Sequence, residues 1–283
     1  MHHAPSAPRT VRVKDHLKEV HFPLVMGILN ATPDSFHAAS RVDVDGALRQ
    51  AEAMLHEGAA ILDIGGMSTR PGSEEVDTAE ELRRVVPVVE AVHRRFPDAW
   101  ISVDTYRAAV ARASVEAGAG MVNDVGAGLL DTDMLPTAAA LHVPYIAMHM
   151  LGTPRTMQRS PQYADVAGEV TLFLSERLAA CHAAGIADAW LDPGFGFGKT
   201  TAHNFTLLRE LPRIVALGSP VLVGISRKRM INEVLGTTPA EALPGTTILN
   251  TVALLNGAAV LRVHDVREAV ACARLLDAYR SGT

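Results

Sequence analysis

Lysine is almost missing from this sequence. Four occur, at positions 14, 18, 199 and 228, among 26 basic residues, and arginine supplies the others. Cysteine is scarcer: Cys181 and Cys272 alone exclude both a disulfide framework and a cysteine metal cluster, and their helix-like surroundings mark them as small core residues. A net charge of −5 gives no basic field for nucleic acid. No apolar run approaches the length of a membrane span. The opening "MHHAPSAPRT" lacks the apolar core of a signal peptide, so a mobile tail on a cytoplasmic product is expected. Zinc-type spacing is absent from the expected strand ends, and so is the G-x-S-x-G nucleophile motif. Aromatics at 5% leave few platforms for stacking sugars, which argues against a glycoside hydrolase.

What is present is ordinary globular material, 283 residues with 48% hydrophobic and 20% charged, enough for one large domain. One stretch, "WLDPGFGFGKT" at 190–200, resembles a phosphate-cradling loop because it ends Gly-Lys-Thr. The spacing rejects that reading. A P-loop needs a glycine five residues before Gly198, and Pro193 stands there with no N–H to offer. What remains is an apolar strand that delivers Asp192 to the start of a glycine-rich loop.

Four segments, this one included, share that design. "HEGAAILDIGG", "EAGAGMVNDVG", "AAGIADAWLDPG" and "LNGAAVLRVHD" each run from a helix end through glycine and an apolar strand to a polar strand end. Gly58, Gly118, Gly185 and Gly257, with Gly218, fall where helices stop in left-handed caps. Strands are expected at 24–30, 60–66, 100–105, 120–126, 144–150, 189–194, 221–226 and 259–265. Their nearly continuous apolar cores suit strands buried on both faces. Between them lie amphipathic stretches, the first carrying Val44, Ala47, Leu48, Ala51, Met54 and Leu55 on one face. Thr78 with Glu81, and Asp265 with Glu268, read as capping boxes. Eight strand–helix repeats predict a (β/α)₈ TIM barrel, with a doubly wound open sheet as the alternative; no G-x-G-x-x-G marks the first turn of the latter. "TVRVKDHLKEV" reads as a hairpin closing the barrel bottom. The expected organisation is a tail and hairpin over 1–20 and one barrel domain over 21–283.

Barrel sites form at the C-terminal strand ends. Those ends carry Asn30, Asp63, Asp104, Asn123, Asp124, His149, Asp192, Ser226, Arg262, His264 and Asp265. Asp104, Asn123 and Asp192 suit a flat heterocycle rich in N–H donors, because a carboxylate accepts two parallel N–H bonds from one ring edge. Lys228, Arg262, His264 and Arg70 supply positive charge for an anion such as phosphate. The pocket therefore reads as an acidic floor facing a basic rim. Asp63 and Asp124 read equally well as satisfied core carboxylates, and His149 as a core histidine. Arg227 and Arg229 read equally well as solvated charges.

Eight motifs together resemble the dihydropteroate synthases: "MGILNATPDSF" (26–36), "LDIGGMSTRPG" (62–72), "SVDTYR" (102–107), "VNDVG" (122–126), "AMHMLGTPRTMQ" (147–158), "LDPGFGFGKT" (191–200), "GISRKRM" (224–230) and "RVHDV" (262–266). The resemblance covers about 24–280. It implies a barrel enzyme of folate biosynthesis that joins 6-hydroxymethyl-7,8-dihydropterin diphosphate to p-aminobenzoate with release of pyrophosphate. By motif, Asp104, Asn123 and Asp192 would hold the pterin, with Met148 and Val263 also against substrate and Lys228 on the pterin carbonyl side. Arg262 would stack on the ring and meet the diphosphate together with His264 and Asn30, and Asn30 would also ligate Mg²⁺. Thr69 and Arg70 would contact phosphate and p-aminobenzoate, and Pro71, Phe197, Ser226 and Lys228 would line the aminobenzoate pocket. Lys228, Arg262, Asp104 and Arg70 are the expected catalytic group. The resemblance implies a homodimer; the helix face of "LNTVALLNGAAV" reads equally well as its interface and as barrel packing.

The sequence departs from the family pattern in three places. His37 and Ala38 stand where the first loop usually continues Ser-Asp, so a loop carboxylate is lost. Met67 replaces a typical Glu, and Arg229 follows Lys228 where Ser is common. These departures leave a non-catalytic pterin-binding homologue as a rival. A methyltetrahydrofolate-dependent methyltransferase is a second, which has no need of the "STRPG" and "SRK" elements.

Overall fold

The structure is a computed structural model that describes residues 8–31, 41–67, 76–152 and 161–282. Its chain starts with a two-stranded antiparallel hairpin, β1 (Arg9–Val13) and β2 (His16–Val20). Eight parallel strands follow: β3 (Leu24–Asn30), β4 (Ile61–Gly65), β5 (Trp100–Asp104), β6 (Met121–Asp124), β7 (Tyr145–Met148), β8 (Ala189–Asp192), β9 (Leu222–Val223) and β10 (Val260–Val263). Their order is β8-β7-β6-β5-β4-β3-β10-β9, and a parallel bridge between Leu191 and Val221 joins the two ends. The sheet therefore closes on itself, as the barrel expectation requires and an open sheet does not.

Helices alternate with the strands: α1 (Arg41–His56), α2 (Thr78–Arg95), α3 (Ala108–Glu116), α4 (Met134–Leu141), α5 (Val166–Ala183), α6 (Thr201–Arg209), α7 (Leu211–Val215), α8 (Arg229–Leu235), α9 (Leu243–Leu255) and α10 (Val266–Ser281). Gly58, Gly118, Gly185, Gly218 and Gly257 all take positive φ just after helix ends, as the repeat predicted. The apolar face of α1 packs inward, with Ala47 and Ala51 fully buried. Cys181 and Cys272 are both buried and free.

The capping residues differ from expectation. The carboxylate of Asp77, one residue before Thr78, accepts from the Glu80 amide at 2.7 Å. Glu81 is withdrawn into the protein, where it pairs with Arg107 at the start of α3. Asp265 precedes α10 without capping it, because Arg227 takes both its carboxylate oxygens. A capping box that was not expected joins Thr200 and His203 at the start of α6.

Two apolar layers hold the barrel. The larger lies between strands and helices and includes Leu29, Leu62, Ile64, Val103 and Val263. The smaller plugs the bottom. Each barrel strand sends one residue into it, namely Met26, Ile61, Trp100, Met121, Ile146, Trp190, Leu222 and Val260. Val11, Val13 and Val20 of the hairpin close it from below, and Trp100 meets Trp190 edge-on with centroids 5.8 Å apart. Polar ties fix the hairpin in place. The Lys14 amide donates to His142 O at 2.8 Å, Lys14 Nζ to Val115 O at 2.8 Å, and the Arg12 amide to Asp188 Oδ2 at 2.7 Å. With the bottom filled by tryptophan and aliphatic side chains, the opposite mouth is left to the polar strand ends.

Candidate active site

Alternation along a strand turns every second side chain into the barrel. In β10 this sends Arg262 inward and Val263 outward into the helix-facing core. The Val263 side chain therefore does not line the mouth, contrary to the expectation that it meets substrate. Arg262 does. Its Nε donates to Asp63 Oδ2 at 2.6 Å, and its Nη2 to Asp104 Oδ2 at 2.6 Å. Asn123 Nδ2 donates to the same Asp63 oxygen at 3.0 Å. Asp63, from the middle of β4, thus joins the ends of β5, β6 and β10, and it is the residue on which this cluster turns. As a strand-end carboxylate it was visible in the sequence; its central position was not.

The next group stands on β8 and β9. Asp192 closes β8, and its Oδ1 accepts from the Gly194 amide at 2.7 Å. Gly194 has φ of 67°, and a Cβ there would lie 1.8 Å from His149 O, so only glycine lets the β7 and β8 loops meet. Lys228 follows β9. Its ammonium hydrogen-bonds Phe195 O and lies 4.9 Å from the centroid of the Phe197 ring. Arg227 braces this loop from behind, donating twice to Asp265 at 2.7 and 2.9 Å and to the carbonyls of Pro239 and Ala240 at 2.8 and 3.0 Å. It is a structural tie between the β9 and β10 loops. Those loops also meet through Ser226 Oγ and His264 Nδ1 at 3.0 Å. Met148 ends β7 in neither apolar core and faces Gly194. Asn30 ends β3, half-buried.

Burial dominates the electrostatics. It pushes Asp104 up to about 7, against the pull of Arg262 and with help from Asp63, Glu81 and Asp124. It also raises Asp192, while Lys228, the Gly194 amide, Arg262 and Lys199 oppose it. Lys228 is brought down to about 8 by burial, with Asp192 holding it up. Arg262 loses to burial first but gains more from Asp63 and Asp104, so its pKa rises and it stays a cation. The expected division into acidic floor and basic rim is not what the structure holds. Acids and cations interleave, because a buried charge without a partner is costly. A ligand rich in donors on one edge and anionic at the other end would find acceptors and cations here within one mouth.

Two candidates belong to the scaffold. Asp124 accepts from Tyr145 Oη at 2.6 Å and from the Gly126 and Gly128 amides at 2.6 and 2.7 Å; it shapes the β6 loop. His149 sits against Phe173 and beside Lys199, and burial followed by that lysine brings it down to about 3. It is a neutral core histidine at physiological pH. Arg229 is exposed and pairs with Glu233 one turn along α8. Thr69, Arg70 and Pro71 lie outside the described residues, as do His37 and Ala38 of the first loop. Among the described residues no set of three or more histidines, cysteines and acids is arranged to hold a metal ion. Among them, too, no helix is long and apolar enough to cross a membrane.

Residues 26–264 match the family described as pterin binding enzyme. The chain is 46% identical over 259 residues to the dihydropteroate synthase of Escherichia coli K12, covering 90% of this chain and 91% of that protein. It is 49% identical over 247 residues to that of Haemophilus influenzae, covering 86% and 89%. Among solved structures, the Yersinia pestis dihydropteroate synthase with a sulfonamide drug superposes with a TM-score of 0.90 at 44% identity, covering 96% of this chain and all of that one. The Xanthomonas albilineans enzyme in complex with 7,8-dihydropteroate gives 0.85 at 42% identity, covering 95% and 99%. The barrel, the interleaved charges at its mouth and these similarities agree: the chain belongs to the pterin-binding enzyme family, among the dihydropteroate synthases.

Proposed function

We propose that the chain condenses 6-hydroxymethyl-7,8-dihydropterin diphosphate with p-aminobenzoate, yielding 7,8-dihydropteroate and pyrophosphate. The observation that carries the reading is the convergence of Asp104, Asn123, Asp192, Lys228 and Arg262 at one barrel mouth. In this reading Asp192 and Asp104 accept from the pterin's N–H edge, and Asn123 supplies both a donor and an acceptor. Lys228 meets the pterin carbonyl side. Arg262, a cation in every relevant state, covers the ring and meets the diphosphate. Ser226, Phe197 and Lys228 line the aminobenzoate site, together with Pro71; Thr69, Arg70 and His264 meet the anionic groups.

The chemistry asks mainly for electrostatics. The diphosphate leaves from a CH₂ on an electron-rich dihydropterin, which stabilises positive charge there. The carboxylates favour that cationic ring, and Arg262, Lys228 and His264 stabilise the departing anion. The attacking nitrogen is an aniline, already a free amine at neutral pH, so no strong general base is needed. His149, held neutral, is not asked to supply one.

A magnesium ion fits the donor set. Mg²⁺ keeps several waters and binds through one or two protein oxygens plus substrate phosphates. A carboxamide at the end of β3, with no acidic cage around it among the described residues, suits that mode. Asn30 would hold the ion with the diphosphate oxygens, and the ion would supply charge neutralisation for the leaving group.

The test is product formation. The chain with both substrates and Mg²⁺ is expected to release pyrophosphate and form 7,8-dihydropteroate, followed by mass spectrometry. Pterin binding without turnover would select the non-catalytic homologue instead. The same preparation tests the homodimer. The adjoining helices α9 and α10 expose Ile248, Leu255, Leu275 and Tyr279, an apolar face suited to a second copy of the chain. Light scattering at the dimer mass is the expected result.

A further inference from the structure

Lys199 is 3% exposed, and its ammonium lies between the loops that follow β7 and β8. Its Nζ is 2.8 Å from His149 Nδ1, 2.9 Å from Gly194 O and 3.1 Å from Phe197 O, with His149 O further off at 3.5 Å. An ammonium has three protons and no acceptor. Here each proton has its own acceptor, and a buried cation is tolerated when its protons are matched in this way. Burial draws its pKa down to about 7, with Asp192 opposing and Lys228 adding to the fall.

The acceptors locate its effect. Gly194 and Phe197 bound the turn that follows Asp192, closed by the Phe197 amide on Gly194 O at 3.1 Å. Gly194, Gly196 and Gly198 all have positive φ, and between them the fully buried Phe195 ring anchors the turn in the core. Polar support comes from outside. Asn204 Oδ1 accepts from the Gly196 amide at 2.8 Å, and Tyr163 Oη donates to Gly198 O at 2.9 Å. Lys199 pins both ends of the turn at once. The turn in turn holds Lys228, through Phe195 O and the Phe197 ring.

We propose that Lys199 is a positioning residue for the condensation: its ammonium ties the Gly194–Phe197 turn to His149 and so sets where Phe197 and Lys228 meet the aminobenzoate. This rests on the functional reading above. It deepens that reading by assigning a role to a lysine that touches neither substrate.

The experiment measures kcat and both KM values for the full chain with dihydropterin diphosphate, p-aminobenzoate and Mg²⁺. Lys199→Met keeps the side-chain length and removes all three donors. The aminobenzoate KM is expected to rise about tenfold or more and the pterin KM by a smaller factor, since Phe197 walls the aminobenzoate alone while Lys228 and Asp192 also reach the pterin. His149→Asn keeps an acceptor near the Nδ1 position and is expected to stay within about threefold of the unaltered protein on both. Should Lys199→Met fail to fold, His149→Leu removes one acceptor of three, and the aminobenzoate KM should rise about threefold. A folded Lys199→Met with both KM values unchanged, or raised equally, overturns the proposal, as does an unchanged aminobenzoate KM in His149→Leu. An unaltered chain that makes no dihydropteroate rejects the functional reading itself, and this inference with it; failure in the variants alone rejects only the inference.

Discussion

Asp192 shows how much one carboxylate carries at this mouth. It ends a strand, is held by the Gly194 amide, and is shared electrostatically by Lys228, Arg262 and Lys199. Asp192→Ala would leave pterin donors unpaired in a buried site, at a cost of about 1.5–3 kcal/mol for hydrogen bonds to a charged group. Calorimetry should show pterin affinity falling by roughly ten- to a hundredfold. The titrations of Asp104 and Lys228 are expected to shape the pH dependence of activity. Burial raises Asp104 to about 7, so its acceptor form gains as pH climbs through that value. Burial lowers Lys228 to about 8, so its charge is lost above that value. The kcat/KM for the pterin should therefore rise through pH 7 and fall beyond pH 8, and Asp104→Asn should abolish the acidic limb. On stability the Asp104 shift acts with a definite sign. The native carboxyl holds its proton to higher pH than the unfolded one, so stability from this group is complete near pH 3.8 and is lost towards pH 7. Residues were unequally legible. Asp192 and Lys228 stood in recognisable motifs, and Lys228 stood out because lysine is rare. Lys199 shared that rarity, yet the failed P-loop spacing drew attention away from it.

Strands were read from the sequence more faithfully than caps. Eight apolar runs, five of them entered through a glycine after a helix, placed every barrel strand, because burial on both faces and helix termination both leave local marks. Strand ends came out shorter, most of all β9, which is two residues long. The caps failed for a different reason. Glu81 was taken by Arg107 and Asp265 by Arg227, partners 26 and 38 residues away that no local pattern reveals. Alternation against Arg262 turns the Val263 side chain into the helix-facing core, a placement that a motif carried over whole does not reveal. One element shows the division of labour within a strand. β8 buries Trp190 in the bottom plug and presents Asp192 at the mouth. Trp190→Ala should cost about 3–5 kcal/mol in urea unfolding, the range for large-to-small core changes, with both KM values of the folded fraction nearly unaltered.

At the scale of the whole molecule, the barrel has two unlike poles. Tryptophans and a valine-bearing hairpin seal one, and paired charges open the other. Both tryptophans lie in the plug, while Tyr145 and Phe195 belong to the helix-facing core. The outer surface carries the remaining question, the α9–α10 face. Ile248→Lys combined with Leu275→Lys, both on exposed positions, should convert a dimer to a monomer by light scattering while leaving the circular dichroism spectrum unchanged.

The ring of strands is stitched unevenly. β3, β4 and β5 share five paired residues with each neighbour in that order, whereas β9 shares two with β10 and, among the described residues, meets β8 through the Leu191–Val221 bridge. That sparse seam runs directly beneath the loops bearing Asp192 and Lys228. Hydrogen exchange is expected to be faster along that seam than between β3 and β4, which would make the gap between Asp192 and Lys228 the dimension of the mouth most open to adjustment.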